Sequence, residues 1–470
     1  MKLNAALLNY YGYPNLNPDE LLNREVSSDE HVFVVLDDDP TGVQCVHDVS
    51  VYTDWSLTSM LEAFRTEKIF FLLTNSRAMT AEQTAKMHVQ IAEIIAEAAR
   101  QTGKKYLFVS RSDSTLRGHY PLETDILRSC LEQDGDRIDG EIFVPFFKEG
   151  GRYTVDNVHY VRYGDELIPC AETEFARDKT FGYVSSDLRE YIEEKTKGAC
   201  RREDVLCFSL EELRKGDLDG LYEKLMRVSN YQRIIVNAID YLDLKIFCIV
   251  LFRALKQGKT FLFRCAASLV RCLGAISEKN LLKREEMIHG HSGMGGLIVV
   301  GSHTDKTNRQ LEHLLELEAT EGIEFQSSSI LYGKEKVYTE LKRCLMLEEQ
   351  IIRSGRTAVV YTERELLSIP GESKEEALQR SVNISTALVQ LVKNLQVRPS
   401  FLIAKGGITS ADIGVRALGV RKAMVLGQIR PGVPVWQTDG NSRFPDIPYV
   451  IFPGNVGEDE TLKETAEILL

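Results

Sequence analysis

Short apolar runs alternate with amphipathic stretches along most of this chain, from about residue 31 onward. Val32 to Leu36, Lys68 to Leu73, Tyr106 to Val109 and Glu141 to Val144 are rich in β-branched or aromatic residues, as central strands buried on both faces are. Between the second and third lies Ala81 to Arg100, where Met87, Ile91, Ile94, Ile95 and Ala98 fall on one helical face. Thr80 and Gln83 have capping-box spacing before it, and Gly103 stands where a helix stops. Strand, helix, strand predicts a parallel sheet with right-handed crossovers. Val205 to Phe208, Arg233 to Val236 and Thr260 to Phe263 extend it. Between residues 150 and 200 the periodicity is weak, and a mostly irregular insertion is expected.

Arg284 to Gly296 is charged, then rich in glycine and histidine, a linker by composition. Afterwards the alternation restarts. Leu297 to Val300, Thr357 to Tyr361, Phe401 to Ala404, Ala423 to Leu426 and Tyr449 to Phe452 read as strands. Thr304 to Leu317, Lys334 to Arg353 and Ser373 to Leu395 read as helices. The expected fold class is α/β: two α/β domains, each built on a mostly parallel sheet flanked by helices, with the active site in the cleft between them. The expected divisions are an N-terminal extension over 1–30, a first domain over 31–285, a linker over 286–296 and a second domain over 297–470.

Composition narrows the function. At 470 residues the chain is long for one core, which favours two or three domains. A net charge of −12 argues against a nucleic-acid partner, which would need a basic stripe. No run of eighteen apolar residues spans a membrane, and the start is too weak for a signal peptide. The nine cysteines form no C-x-x-C pair, which fits a reducing, cytoplasmic compartment. His289 and His291 lack companion ligands at metal spacing, so no protein metal site is assigned. A homodimer is one assembly left open.

Polar clusters follow the strands directly. Asp37-Asp38-Asp39-Pro40-Thr41-Gly42 follows the first, Thr74-Asn75-Ser76-Arg77 the second, and Ser112-Asp113-Ser114-Thr115-Leu116-Arg117-Gly118 closes a third with Arg111. In the later half, Gly301-Ser302-His303, Lys405-Gly406-Gly407-Ile408-Thr409-Ser410 and Gly454-Asn455-Val456-Gly457 do the same. Such loops share the carboxyl edge of a parallel sheet, where open α/β folds bind ligands. Adjacent aspartates can bind Mg²⁺ or accept a hydroxyl proton, or simply form Asx turns. Arg77, Arg111 and Arg117 can clamp a carboxylate or phosphate. Ser112, Asp113 and Ser114 suit a polyhydroxy ligand, or a helix cap. Gly406-Gly407 before a helix lets backbone N–H groups approach a phosphate, or makes a tight turn.

No G-x-x-x-x-G-K-[ST], G-x-G-x-x-G or G-x-S-x-G motif is present, which sets aside P-loop, dinucleotide and serine-hydrolase readings. Spacing alone leaves a phosphotransferase or a haloacid-dehalogenase-type phosphohydrolase. In the latter Asp37 would be the nucleophile and Asp39 the acid/base, with Mg²⁺. A non-catalytic sugar-acid binder is a third reading.

From about residue 30 the chain resembles the four-carbon acid sugar kinase family. The resemblance rests on the ordered series Asp38-Asp39-Pro-Thr-Gly42, Asn75-Ser-Arg77, Asp113-Ser-Thr-Leu-Arg-Gly118, Gly301-Ser302-His303, Lys405-Gly-Gly-Ile-Thr-Ser410, Gly427-Gln-Ile-Arg-Pro-Gly-Val-Pro434 and Phe452-Pro-Gly-Asn-Val-Gly457. It implies a sugar-acid-binding N-terminal domain, a nucleotide-binding C-terminal domain, and ATP- and Mg²⁺-dependent phosphorylation of a terminal hydroxyl on a four-carbon acid. It implies catalytic Asp38, Asp39 and Arg117, and substrate contacts from Asp38, Arg77, Arg111, Ser112, Asp113 and Ser114. ATP would meet Ser302, Lys405, Gly406, Gly407, Ile408, Thr409, Gly454 and Asn455. The chain departs from the common pattern in its first thirty residues, in Glu174 where a proline is more frequent, and in Asn237 where an aspartate is.

Overall fold

The computed structural model describes residues 2–9, 12, 14–290, 293–302, 304–364, 374–454 and 456–470. The chain divides into two compact units, Met1–Val46 with Asp54–Glu278, and His47–Thr53 with Lys279–Leu470. Both are α/β, each built on a mostly parallel sheet flanked by helices.

In the first unit the main sheet comprises β1 (Val32–Asp37), β2 (Ile69–Leu73), β3 (Tyr106–Arg111), β4 (Gly140–Val144), β5 (Leu206–Phe208), β6 (Gln232–Val236) and β7 (Phe261–Cys265). Their order is β5-β6-β4-β7-β3-β1-β2. β1 is buried along its whole length, which accounts for a run without polar alternation. The crossover helix Ala81–Thr102 begins at the capping box of Thr80 and Gln83 and ends at Gly103, whose φ of 66° needs a residue without a Cβ penalty. Register fixes the functional edge: Asp37 stands beside Arg111 and Leu73, and Cys265 beside Arg111. The loops that follow these strands therefore leave the sheet side by side.

Residues 150–200 are not mostly irregular. Arg152–Val155, Val158–Tyr163 and Glu166–Pro169 pair antiparallel in a small sheet that also takes Leu3–Asn4, and Leu188–Lys195 is a helix. These strands are short and joined by tight turns, so two-residue alternation has too few repeats to show. The early chain is tied down too. Helix Pro18–Ser27 is held to helix Tyr241–Lys256 by Lys245 to Asp19 at 2.5 Å and Lys256 to Glu25 at 2.6 Å.

The second unit contains β8 (Leu297–Val300), β9 (Thr320–Phe325), β10 (Thr357–Thr362), β11 (Leu402–Lys405), β12 (Lys422–Arg430), β13 (Val433–Thr438) and β14 (Pro448–Phe452). The order β12-β13-β14-β11-β8-β10-β9 is parallel from β14 to β9. β12 and β13 pair antiparallel, and β12 also takes the strand Val49–Tyr52, borrowed from early in the chain. Leu282 and Met287 are buried in this unit's core beside Ile298, Phe401 and Val450, so the stretch before Leu297 packs rather than trails. Among the described residues no helix is long and apolar enough to cross a membrane.

Candidate functional site

The acidic run after β1 is threaded between arginines. Asp37, the last residue of β1, is buried and accepts from Arg111 Nη1 at 2.8 Å. Its main-chain carbonyl accepts from both the N–H and the hydroxyl of Thr74 at 2.9 Å, which locks the first two loops together. A Cβ on Gly42 would stand 2.1 Å from an Asp37 carboxylate oxygen, so only glycine lets the loop fold over that carboxyl. Burial, with Asp38 and Asp39 adding to it, pushes the Asp37 carboxyl up to about 7 against the pull of Arg111.

Asp38 has the opposite balance. It lies in the fork of Arg77, with Nε at 3.2 Å and Nη2 at 2.6 Å, and accepts from Arg111 at 3.3 Å and Ser112 Oγ at 2.6 Å. Burial alone would raise it; Arg77, then Arg111 and Arg264, more than offset this and hold it below the usual carboxylate range. Asp39 is only half-buried. It accepts from the Thr41 N–H at 2.8 Å and hydroxyl at 2.5 Å, and lies 3.5 Å from Arg77.

The loop after β3 completes the cluster. Arg117 donates through Nε to Asp113 at 2.8 Å and lies over the Phe175 ring at 5.1 Å. Asp113 also stands 3.7 Å from Arg77; despite its burial, Arg77 and Arg117 draw its carboxyl well below the ordinary range. The Ser114 carbonyl accepts from His159 Nε2 at 2.8 Å, and burial lowers that imidazole to about 4, so it serves as a neutral donor. Gly118, at φ 116°, is where this loop presses on Ser112 and Arg264. The structure thus gathers Asp38, Asp39, Arg77, Arg111, Ser112, Asp113, Ser114 and Arg117 at one sheet edge.

Other residues of this edge were not singled out by pattern. Arg264 lies inside β7, ion-paired to Glu123, which also accepts from Ser76 Oγ at 2.6 Å. Arg152, on the small sheet, faces Phe175 at 5.7 Å. Their signal was a charged residue within or beside a strand that otherwise reads as apolar. Asn237 binds the Asn157 N–H at 2.7 Å, donates to its Oδ1 at 2.9 Å, and so fastens a turn of the small sheet to β6. Glu174 accepts from the Tyr163 hydroxyl at 3.0 Å.

In the second unit the loops after β8, β11 and β14 converge. A Cβ on Gly301 would lie 2.3 Å from Thr409 Oγ1, and one on Gly406, at φ 117°, 3.5 Å from Ser302. Gly406 and Gly407 open the helix Gly407–Asp412, and Ile408 in its first turn is exposed. Lys405 is fully buried and does not project; its ammonium donates to the carbonyls of Pro453 at 2.8 Å and Gly454 at 3.1 Å. Burial, with Lys306 nearby, lowers it to about 7. Ser302, Lys405, Gly406, Gly407, Thr409 and Gly454 are thereby brought together, whereas Asn455, His291 and His303 lie outside the described residues. Arg364, also unforeseen, donates to the Ser302 carbonyl at 2.7 Å.

Comparison with known families decides what these two units are. The sugar-binding N-terminal domain family matches residues 33–273, and the nucleotide-binding C-terminal domain family matches residues 297–462. The chain belongs to the four-carbon acid sugar kinase family. Solved structures share the fold across its length. A Haemophilus influenzae protein of the DUF1537 family is 18% identical with a TM-score of 0.59, over 93% of this chain and 100% of that one. A Salmonella typhimurium LT2 protein, provisionally named a tRNA synthase, is 15% identical with a TM-score of 0.65, over 93% and 98%. No curated protein matches the chain.

Within this family's nucleotide-binding domain, the converging glycine loops suit a polyphosphate. The N–H groups of a helix's first turn have no intrahelical acceptor, and Gly301 and Gly406 keep side chains out of the space before them. Lys306, which donates to the Gly457 carbonyl at 3.0 Å, adds positive charge. Among the described residues no group of three or more His, Cys, Asp or Glu could hold a metal by itself. A Mg²⁺ ion carried on phosphate oxygens asks for fewer protein ligands than that.

Proposed function

We propose that the protein is an ATP-dependent kinase that phosphorylates a terminal hydroxyl of a four-carbon sugar acid, of the threonate, erythronate or oxo-tetronate type. The observation that carries this reading is one chain holding a sugar-binding domain, with aspartates and arginines interleaved at its sheet edge, and a nucleotide-binding domain with a side-chain-free loop cluster. Phosphoryl transfer asks a protein mainly for positioning and charge stabilisation, and this is what such groups supply.

Within that reading the three aspartates divide their work. Asp38 is saturated by Arg77, Arg111 and Ser112, so it acts as the anchor that aims those arginines. Asp39 is partly exposed and is the base that accepts the attacking hydroxyl's proton. Arg117 offsets charge developing on the transferred group. The first-turn N–H groups would bind the phosphates, and the Ser302 and Thr409 hydroxyl oxygens would be available to a Mg²⁺ ion that shields their charge. Asp37, buried beneath Gly42 and paired with Arg111, is poorly presented for nucleophilic attack, which weighs against a phosphohydrolase. A nucleotide-binding domain has no purpose in a pure sugar-acid binder.

Asp39→Asn tests the assignment. It should lower kcat by about 10²-fold or more while leaving the thermal stabilisation by ATP-Mg²⁺ unchanged. Loss of that stabilisation would move Asp39 to the nucleotide site.

A further inference from the structure

Charge pairing at the first unit's edge is nearly complete, with one exception. Arg77 is matched by Asp38, Asp39 and Asp113, Arg111 by Asp37 and Asp38, Arg117 by Asp113, and Arg264 by Glu123. Arg152 has no such partner: among the described residues it takes part in no ion pair within 4.0 Å, although it is half-buried. Its Nη1 donates to the Gly150 carbonyl, and its Nε is buried without an acceptor among the described residues. An enclosed guanidinium lacking a counter-ion is costly, and a protein keeps one where a ligand supplies the anion.

The position fits a ligand. Arg152 and Arg117 both lie near the Phe175 ring, at 5.7 and 5.1 Å from its centre, so two guanidinium groups stand close to one aromatic side chain. His159 holds the Ser114 carbonyl at 2.8 Å and keeps that loop in place beside them. Burial, with the like charge of Arg117, lowers the Arg152 pKa in spite of Asp113. Arg77, one of three arginines whose position suits a carboxylate or phosphate, already has its fork filled by Asp38.

We propose that Arg152 receives the carboxylate of the substrate and makes the site select a sugar acid over the corresponding neutral polyol. A planar guanidinium offers a carboxylate two parallel bonds, which a polyol cannot use equally. The proposal rests on the sugar-acid reading above.

Titration calorimetry of the full chain with D- and L-threonate, D- and L-erythronate, threitol and erythritol tests it. The wild type should bind at least one acid more tightly than its polyol. Arg152→Met should weaken that acid by about 30-fold or more, with ADP-Mg²⁺ and polyol affinities unchanged. A wild type that binds an acid and an Arg152→Met variant that binds it equally well overturn the role of Arg152. A wild type that binds none of the acids overturns the sugar-acid reading, and the proposal with it. Should the methionine variant fail to fold, Arg152→Lys carries the test. It keeps the charge without the fork, and an acid affinity equal to the wild type's would exclude bidentate capture.

Discussion

Asp38 occupies the fork of Arg77 with two near-parallel bonds, at 2.6 and 3.2 Å, and this pair joins the loops that follow two neighbouring strands. The Asp38 side chain is 3% exposed and that of Arg77 20%, so solvent screens the pair little. Removing one partner strands the other charge, typically at a cost of about 3 kcal/mol or more. Arg77→Met should lose that much in urea unfolding, and Arg77→Lys less, since it keeps the charge but not the fork. Equal and negligible losses would show that the pair does not brace the edge.

Asp37 gives a pH signature. Its carboxyl holds a proton to about 7 when folded, against 3.8 as the ordinary value. Between those values the folded state binds more protons, so this group's contribution to stability falls as pH rises from about 4 to about 7. Asp37→Asn cannot titrate. Wild-type stability minus that of the variant should decline across the window, by at most about 1.4 kcal/mol per pH unit, and stay flat outside it. A difference that stays flat across the window would mean that Asp37 is ionised there in the folded state too.

Glu348 should behave in the same sense at higher pH. It lies fully buried on helix Lys334–Arg353, neither carboxylate oxygen has a hydrogen-bond partner among the described residues, and burial lifts it to about 8. Its protonated form is favoured below that value, and stability is lost as pH rises through it. Glu348→Leu should raise Tm more at pH 9 than at pH 6, because only at the higher pH does it replace a buried charge. An equal gain at both would show that the carboxyl is solvated.

Gly301 and Thr409 form a steric lock in the nucleotide-binding domain. Gly301→Ala places a methyl 2.3 Å from Thr409 Oγ1 and 3.2 Å from its methyl group. The alanine variant should weaken ATP-Mg²⁺ binding by about 10-fold or more, as a displaced cradle would. Adding Thr409→Ala to it should restore part of the loss, if Thr409 contributes less to the ligand than the loop's shape does. An unchanged affinity in Gly301→Ala would place the nucleotide elsewhere.

Much of the architecture was legible because buried parallel strands carry no polar alternation: β1 reads Val-Phe-Val-Val-Leu and is buried throughout. Polar clusters after the runs then marked one edge. Other elements were hidden for physical reasons. Val433–Thr438 contains a proline, and Val49–Tyr52 is a short strand whose pairing partner, Lys422–Arg430, is hundreds of residues away, so local pattern says little of either. Charge pairing is likewise non-local. Arg264 could be read as part of a strand but not as the partner of Glu123, and Arg152 could not be seen to lack one. The bonds of Lys405 are non-local too: its ammonium closes on the Pro453 and Gly454 carbonyls, a choice made by tertiary packing.

The most direct test is ADP release by the full chain with ATP-Mg²⁺ across threonates, erythronates and oxo-tetronates. Release that depends on one acid, with a matching phosphorylated product, is the predicted result. No release with any of them, together with hydrolysis of phosphorylated sugars, would contradict the kinase and return Asp37 and Asp39 to the phosphohydrolase reading.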